Sequence, residues 1–455
     1  MARRNAALEV FASTPLPSAK EEVWRYSRID DLDLDRFGPS VPLDGVARPA
    51  PGSFHDLLEP FGAWSVAVVS VDGLLATPEP VTGTDAAGDE STVVVSPLAG
   101  HPDAERLLGA VADSGADLVG LNDACMLDPL VIDVPAGARV TRPVVVLHVV
   151  SDVEGSAVFP RTVVRVGDGA EASVVEAVVS ERAARQLLLP GWAGRDEAPA
   201  VEGGARSSTG SSSLPGGAAA ARQLVVPVTE LTVGDGASLG YVSVQALASD
   251  VWSLASQVSS LGEGASLSSF AVAAGAGYGR LRTDSVLAGA GGSSRLRAAF
   301  VGTGDQMLDF RTMQDHAAPR TTSDLLFKGV LSGHAHSVYS GLIRIRRGAV
   351  RSDARQTNHN LVLDEGAHAD SVPNLDIEEN DVRCSHASTV GPVDEDQRYY
   401  LESRGIDPER AEELIVAGFF DDIAEQVPVA GVDALVSRVL GRRLVETDHA
   451  EVLDG

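Results

Sequence analysis

The sequence predicts a mainly β protein: a right-handed parallel β-helix core with a mixed N-terminal region and a helical C-terminal region. Three observations point to it. From about Asp128 to Gly391, short apolar or alternating runs recur, each closed by a Gly-centred turn, as in Val164–Ala170 (VRVGDGA), Leu231–Ala237 (LTVGDGA) and Leu363–Ala367 (LDEGA). Glycine supplies the positive φ of such turns without steric cost. The turns are spaced almost evenly, 28 residues from Gly236 to Gly264 and 28 again to Gly292. With 46 Gly and only 5% aromatic residues, the composition favours short stacked strands over a thick aromatic core. Each coil then buries its small apolar residues against the next. A β-sandwich is the alternative architecture.

Residues 1–127 read as mixed α/β. Ser18-Ala19-Lys20-Glu21 is a capping box that opens a short helix containing Trp24 and Tyr26. Ala104–Val111 carries apolar residues at helical spacing and is a second helix. Residues 128–391 form the β-helix core. They are interrupted at about 190–222 by a stretch with the low-complexity run Gly203–Ser213, which cannot bury enough apolar surface to fold and reads as a flexible insertion. Residues 392–455 are helical. Asp394 or Asp396 caps the first helix and Gly405 ends it. Asp407 and Pro408 stand at the N-cap and N1 of the next helix, whose apolar stripe is Leu414, Ile415, Phe419 and Ile423. A last helix runs from Val432 to Leu440, followed by a frayed polar tail.

Composition narrows the function. The net charge is −28, and Arg344–Arg347 is the one basic cluster. That cluster reads as an exposed turn, so nucleic acid is not expected as a partner. The two lysines, Lys20 and Lys328, leave no Gly-x-x-x-x-Gly-Lys-Ser/Thr loop, so no nucleotide is expected on this chain. No apolar run reaches the ~18 residues of a membrane span, and no leader-like apolar run follows Met1–Arg4. The two cysteines, Cys125 and Cys384, are expected reduced. A soluble cytoplasmic protein follows as the expectation.

Two histidine clusters carry candidate chemistry. Cys384 and His386 stand at i and i+2, so on a strand they share a face. Thiolate and imidazole together make a half-site for a soft metal or an iron–sulfur species. Two ligands cannot hold a cluster, so the others come from elsewhere, including from another chain. The plain alternative is a buried small cysteine beside a satisfied histidine. His334 and His336 are the rival metal pair, with Asp315, His316 and His359 as further ligands. That rival pair fits a β-helical metal-dependent hydrolase or a polysaccharide-acting enzyme, or simply exposed turn histidines.

Three segments carry a family resemblance: Thr357–Leu363 (TNHNLVL), Cys384-Ser385-His386, and Asp394–Ile406 (DEDQRYYLESRGI). They resemble the SufB/SufD family of iron–sulfur cluster assembly scaffolds, and within it the SufD branch, whose members are non-ATPase subunits. Glu21–Ser27 (EEVWRYS) is similar to the family's opening motif. The resemblance implies a non-catalytic scaffold with a parallel β-helix. It implies that His386, with Cys384 as companion, faces a SufB-like sister subunit near a transient cluster. In SufB a cysteine precedes the Gly-Ala-His that matches Gly366-Ala367-His368, whereas Glu365 stands there in this chain. The helices around Tyr399, Tyr400, Phe419, Phe420 and Asp421 resemble the part that binds a SufC-like ABC ATPase, with Asp422 near the same surface. The ATPase activity then belongs to that partner. A homodimer of the isolated chain is left open.

Overall fold

The computed structural model describes residues 2–40, 50, 54–77, 79–84, 90–115, 118–188 and 221–450. The expected insertion at about 190–222 lies outside these residues except at its end, as do the last five residues.

From Leu130 to Gly391 the strands fall into two sheets, alternating strictly from Val228 onward, and each strand pairs in parallel with the one a coil further on. The result is a parallel β-solenoid of about eight coils, which removes the sandwich alternative. Strong alternation is absent from the central strands because most are covered on both faces; Val144–Val150 is buried at every position. The expected 28-residue period describes only part of the core. Ser238 stacks on Ser266, Ser266 on Ser293, and His336 on His368, so over these three steps the coil length drifts between 27 and 32 residues. Gly236 and Gly264 do take positive φ, at +65° and +62°, but in the next coil Gly291 does so rather than Gly292.

The solenoid is closed at its start and open at its end. At the start, Val66–Val71 pairs antiparallel with Leu74–Leu75, and Glu90–Pro97 pairs antiparallel with both Val81–Thr84 and Leu130–Val134. At the other end, His368–Ile377 and Arg383–Gly391 are hydrogen-bonded on one side only.

The N-terminal segment lies across the outer face of one sheet. Trp24 is buried there among Trp252, Tyr278, Met307 and Val338. The expected helix around it is a single 3-10 turn, Glu22–Trp24. Arg280 Nη2 donates to the Val23 carbonyl (3.1 Å) and Arg311 Nη2 to the Arg25 carbonyl (2.6 Å), which removes acceptors an α-helix would need. The second expected helix shrinks to Ala104–Leu107 for a related reason. The N–H groups of Gly109, Val111 and Ala112 donate to the buried Glu230 carboxylate instead of continuing a helix.

Three helices, Glu395–Glu402, Pro408–Ala424 and Asp433–Ala450, follow the solenoid. Asp394 accepts from the N–H groups of Asp396 and Gln397, and Asp407 from that of Arg410 with Pro408 at N1, as their sequence positions predict. Gly405 takes φ +84° after the first helix. The buried stripe of the second helix is rotated from the expected one. Ala411, Val416, Phe420 and Ile423 face the sheet, while Leu414 is exposed. The last helix runs well past the expected Leu440. Among the described residues no helix is long and apolar enough to cross a membrane.

Candidate functional site

The open end of the solenoid is where the chain leaves its core uncovered. Earlier inward residues of the two sheets are buried, including Ala354, Gln356, Asn358 and Asn360 on one sheet and Ile343 and Ile345 on the other. The last coil lays Cys384 over Ala354, His386 over Gln356 and Val390 over Asn360. The opposite strand lays Leu375 over Ile343 and Ile377 over Ile345. Among the described residues no strand pairs beyond this coil, and Leu375, Ile377 and Val390 are 40%, 42% and 46% exposed. Exposed apolar side chains beside two unpaired strand edges form a surface suited to pairing with another chain.

Cys384 and His386 share the inward face at this mouth, as their spacing predicts. Cys384 is half-buried against Ile343, Ile345, Ala349 and Ala354. Burial pushes its thiol up, and the Asp353 carboxylate adds to the effect. It is therefore a protonated, weakly nucleophilic thiol at neutral pH in the single chain. His386 is exposed. Beneath it, Gln356 Nε2 and Oε1 are buried with no hydrogen-bond partner. Both cysteines, Cys125 and Cys384, are free thiols.

The rival metal residues fall into separate places. Asp315 is buried and accepts from Arg346 at 2.9 and 2.5 Å. The expected exposed basic turn is present, with Arg346 and Arg347 exposed beyond the strand end, and Arg344 adds a second cross-coil pair to Asp376 at 2.9 Å. His316 points into the solenoid, 2.8 Å from both Thr321 Oγ1 and Ser323 Oγ, and burial pushes its pKa down to about 4. His359 stacks over Lys328, and burial together with that cation lowers its pKa. His334 is exposed in the turn before the strand His336–Ile345, so it is not in line with His336 on one strand face. His336 instead meets His368 and Asp370, a grouping that pairwise spacing along the sequence does not reveal.

The C-terminal helices divide the residues expected to dock an ATPase. Tyr399 is 72% exposed. Tyr400 and Phe419 line one open groove of about 950 Å³ together with Leu401, Leu414 and Ile415. Arg404 lies 3.5 Å from the centre of the Tyr400 ring. Asp421 lines a second groove of about 520 Å³ with Arg398, Glu413 and Asp364. Phe420 is buried in the core under the helix, and Asp422 is held by Lys328 at 2.5 Å.

The class of fold defined here is a parallel β-solenoid with antiparallel pairing at its start and an open last coil beside a helical module. Comparison with known proteins shows what the chain is similar to. The family model described as SUF system FeS cluster assembly, SufBD core domain, matches residues 207–419. An iron–sulfur cluster assembly protein SufD of Escherichia coli is 26% identical over 96% of this chain and 91% of its own length. SufD of Bacillus subtilis is 36% identical over 32% of this chain and 34% of its own. An iron–sulfur cluster assembly SufBD family protein of Mycobacterium bovis is 36% identical over 49% of this chain; the match spans 58% of that relative. Residues 207–419 thus match the SufBD core domain of the SUF iron–sulfur cluster assembly system, and nearly the whole chain is similar to a protein named SufD.

Proposed function

We propose that the chain is a non-catalytic scaffold subunit on which iron–sulfur clusters are built at an interface with a SufB-like sister. The observation that carries this reading is the open last coil, where Cys384 and His386 share the inward face between exposed Leu375, Ile377 and Val390. A sister strand pairing with Arg383–Gly391 would cover the apolar residues and satisfy the strand edge. It would also bring ligands that this chain lacks. The cluster is then cargo held in transit by residues from both chains, with imidazole and thiolate as this chain's share. Ordinarily protonated, Cys384 would become a ligand once a metal displaces its proton.

A SufC-like ATPase would sit on the helical module. Tyr400, Leu401, Leu414 and Phe419 line an open apolar groove there, and Tyr399 stands exposed nearby. Phe420 would act from beneath, by fixing the helix on the sheet, and Asp421 from the neighbouring groove. In the absence of a sister, the same open edge would serve a homodimer.

Anaerobic affinity purification from the native cell, with co-purifying chains identified by mass spectrometry, tests the reading. Recovery of an ABC-type ATPase and a β-solenoid sister supports it. Recovery of the chain alone contradicts it.

A further inference from the structure

Outside the solenoid, on its last two coils, His336, His368 and Asp370 bring one ligand atom each to within 4.8 Å of one another. His336 and His368 are register neighbours on adjacent parallel strands. Asp370 follows His368 by two residues and so lies on the same outward face, above Val338. Asp370 Oδ2 is 2.8 Å from His336 Nε2, and Asp370 Oδ1 is 3.4 Å from His368 Nε2. The two rings lie 5.2 Å apart, centre to centre.

We propose that His336, His368 and Asp370 form a binding site for one divalent first-row transition ion of the Zn²⁺, Co²⁺ or Fe²⁺ type. Two imidazoles and one carboxylate are the donor set these ions take. Tetrahedral coordination with bonds of about 2.0–2.1 Å spaces ligand atoms about 3.3 Å apart. The two contacts run from different Asp370 oxygens, so one carboxylate oxygen and both imidazoles, now within 4.8 Å of one another, close to that spacing by side-chain rotation. Backbone pairing fixes all three Cα positions, which limits the ordering entropy lost on binding. Exposure is graded: the side chains of Asp370, His336 and His368 are 27%, 32% and 66% accessible. One coordination position therefore faces solvent and is free for water or an exogenous ligand. Hard cations are disfavoured, because a single carboxylate is too few oxygen donors for Ca²⁺ or Mg²⁺.

The site is distinct from Cys384 and His386, which belong to the other sheet and face inward. It stands whether or not the scaffold reading holds.

The test is metal titration of the full, metal-stripped chain with Zn²⁺ by calorimetry and with Co²⁺ by visible absorption. One ion per chain should bind, with Co²⁺ giving the intense d–d bands of a tetrahedral site. His368→Ala and Asp370→Asn should each weaken binding by at least about 100-fold, since loss of even an outer-shell partner costs about 10–100-fold. Glu365→Gln, exposed in the turn before His368, should leave it unchanged. Unaltered far-ultraviolet dichroism in the variants separates lost ligation from lost folding. Wild-type chain that binds neither ion stoichiometrically, or variants that bind as wild type does, would overturn the assignment.

Discussion

Lys328 Nζ lies 2.5 Å from Asp422 Oδ1 and donates to the Phe419 carbonyl at 2.9 Å, with its charge 4.8 Å from the centre of the Phe419 ring. One solenoid lysine therefore reaches the last turns of the helix Pro408–Ala424 through three contacts. The lysine side chain is 9% exposed and the aspartate 60%. Lys328→Met keeps the buried stem and removes the charge. It should cost about 1 kcal/mol, the modest value expected when one partner remains in water. Hydrogen exchange should speed in Pro408–Ala424 while the solenoid strands stay protected. Unchanged exchange in that helix would refute the anchoring role.

A second anchor joins the N-terminal region to the core. Arg161 Nη2 lies 2.5 Å from Glu230 Oε1 and Arg161 Nη1 lies 3.3 Å from Asp123 Oδ1, all buried. Glu230 also receives the three N–H groups of Gly109, Val111 and Ala112. Arg161→Met strands two carboxylates away from water and should destabilise the fold by about 3–5 kcal/mol. Urea denaturation reads this directly; a loss below about 1 kcal/mol would mean the pair is not structural.

His316 makes stability depend on pH. Its folded pKa, pushed to about 4 by burial, lies below the unfolded value of about 6.5. The unfolded chain therefore binds more protons between those values, and stability falls as pH drops from 6.5 toward 4. The loss from this group should reach about 2 kcal/mol at pH 5. His316→Gln should flatten that part of the profile even if it lowers stability at neutral pH. An unchanged slope between pH 7 and 5 would show that His316 does not carry it.

Much of this was legible in the sequence. The Gly-centred turns, Asp394, Asp407, Pro408 and Gly405 act through local geometry, and the chain behaves locally as those residues dictate. The Cys384/His386 pairing on one face follows from strand alternation alone. What could not be read off depends on partners distant in sequence. The arginines that capture the carbonyls near Trp24 lie more than 250 residues away, and Glu230 takes the amides of a would-be helix from 118 residues or more. The face of Pro408–Ala424 was set by the sheet it meets, since Phe419 and Phe420 offer two competing stripes. His336 finds His368 and Asp370 only because coil length places them in register.

Cys384 offers a simple chemical check. With its thiol raised by burial and Asp353, it should react slowly with a disulfide reagent at pH 7 and faster as pH rises past the ordinary thiol range. Reaction at the rate of a free peptide thiol would mean that the last coil does not pack as described.

The central claim is that the open coil is a shared assembly site and that His386 supplies part of it. The most direct measurement is cluster content of the complex purified anaerobically with His386→Ala in this chain. The account predicts that the same partner chains co-purify, because His386 is exposed, while iron and acid-labile sulfide per complex fall sharply. Wild-type cluster content in the mutant complex would contradict it.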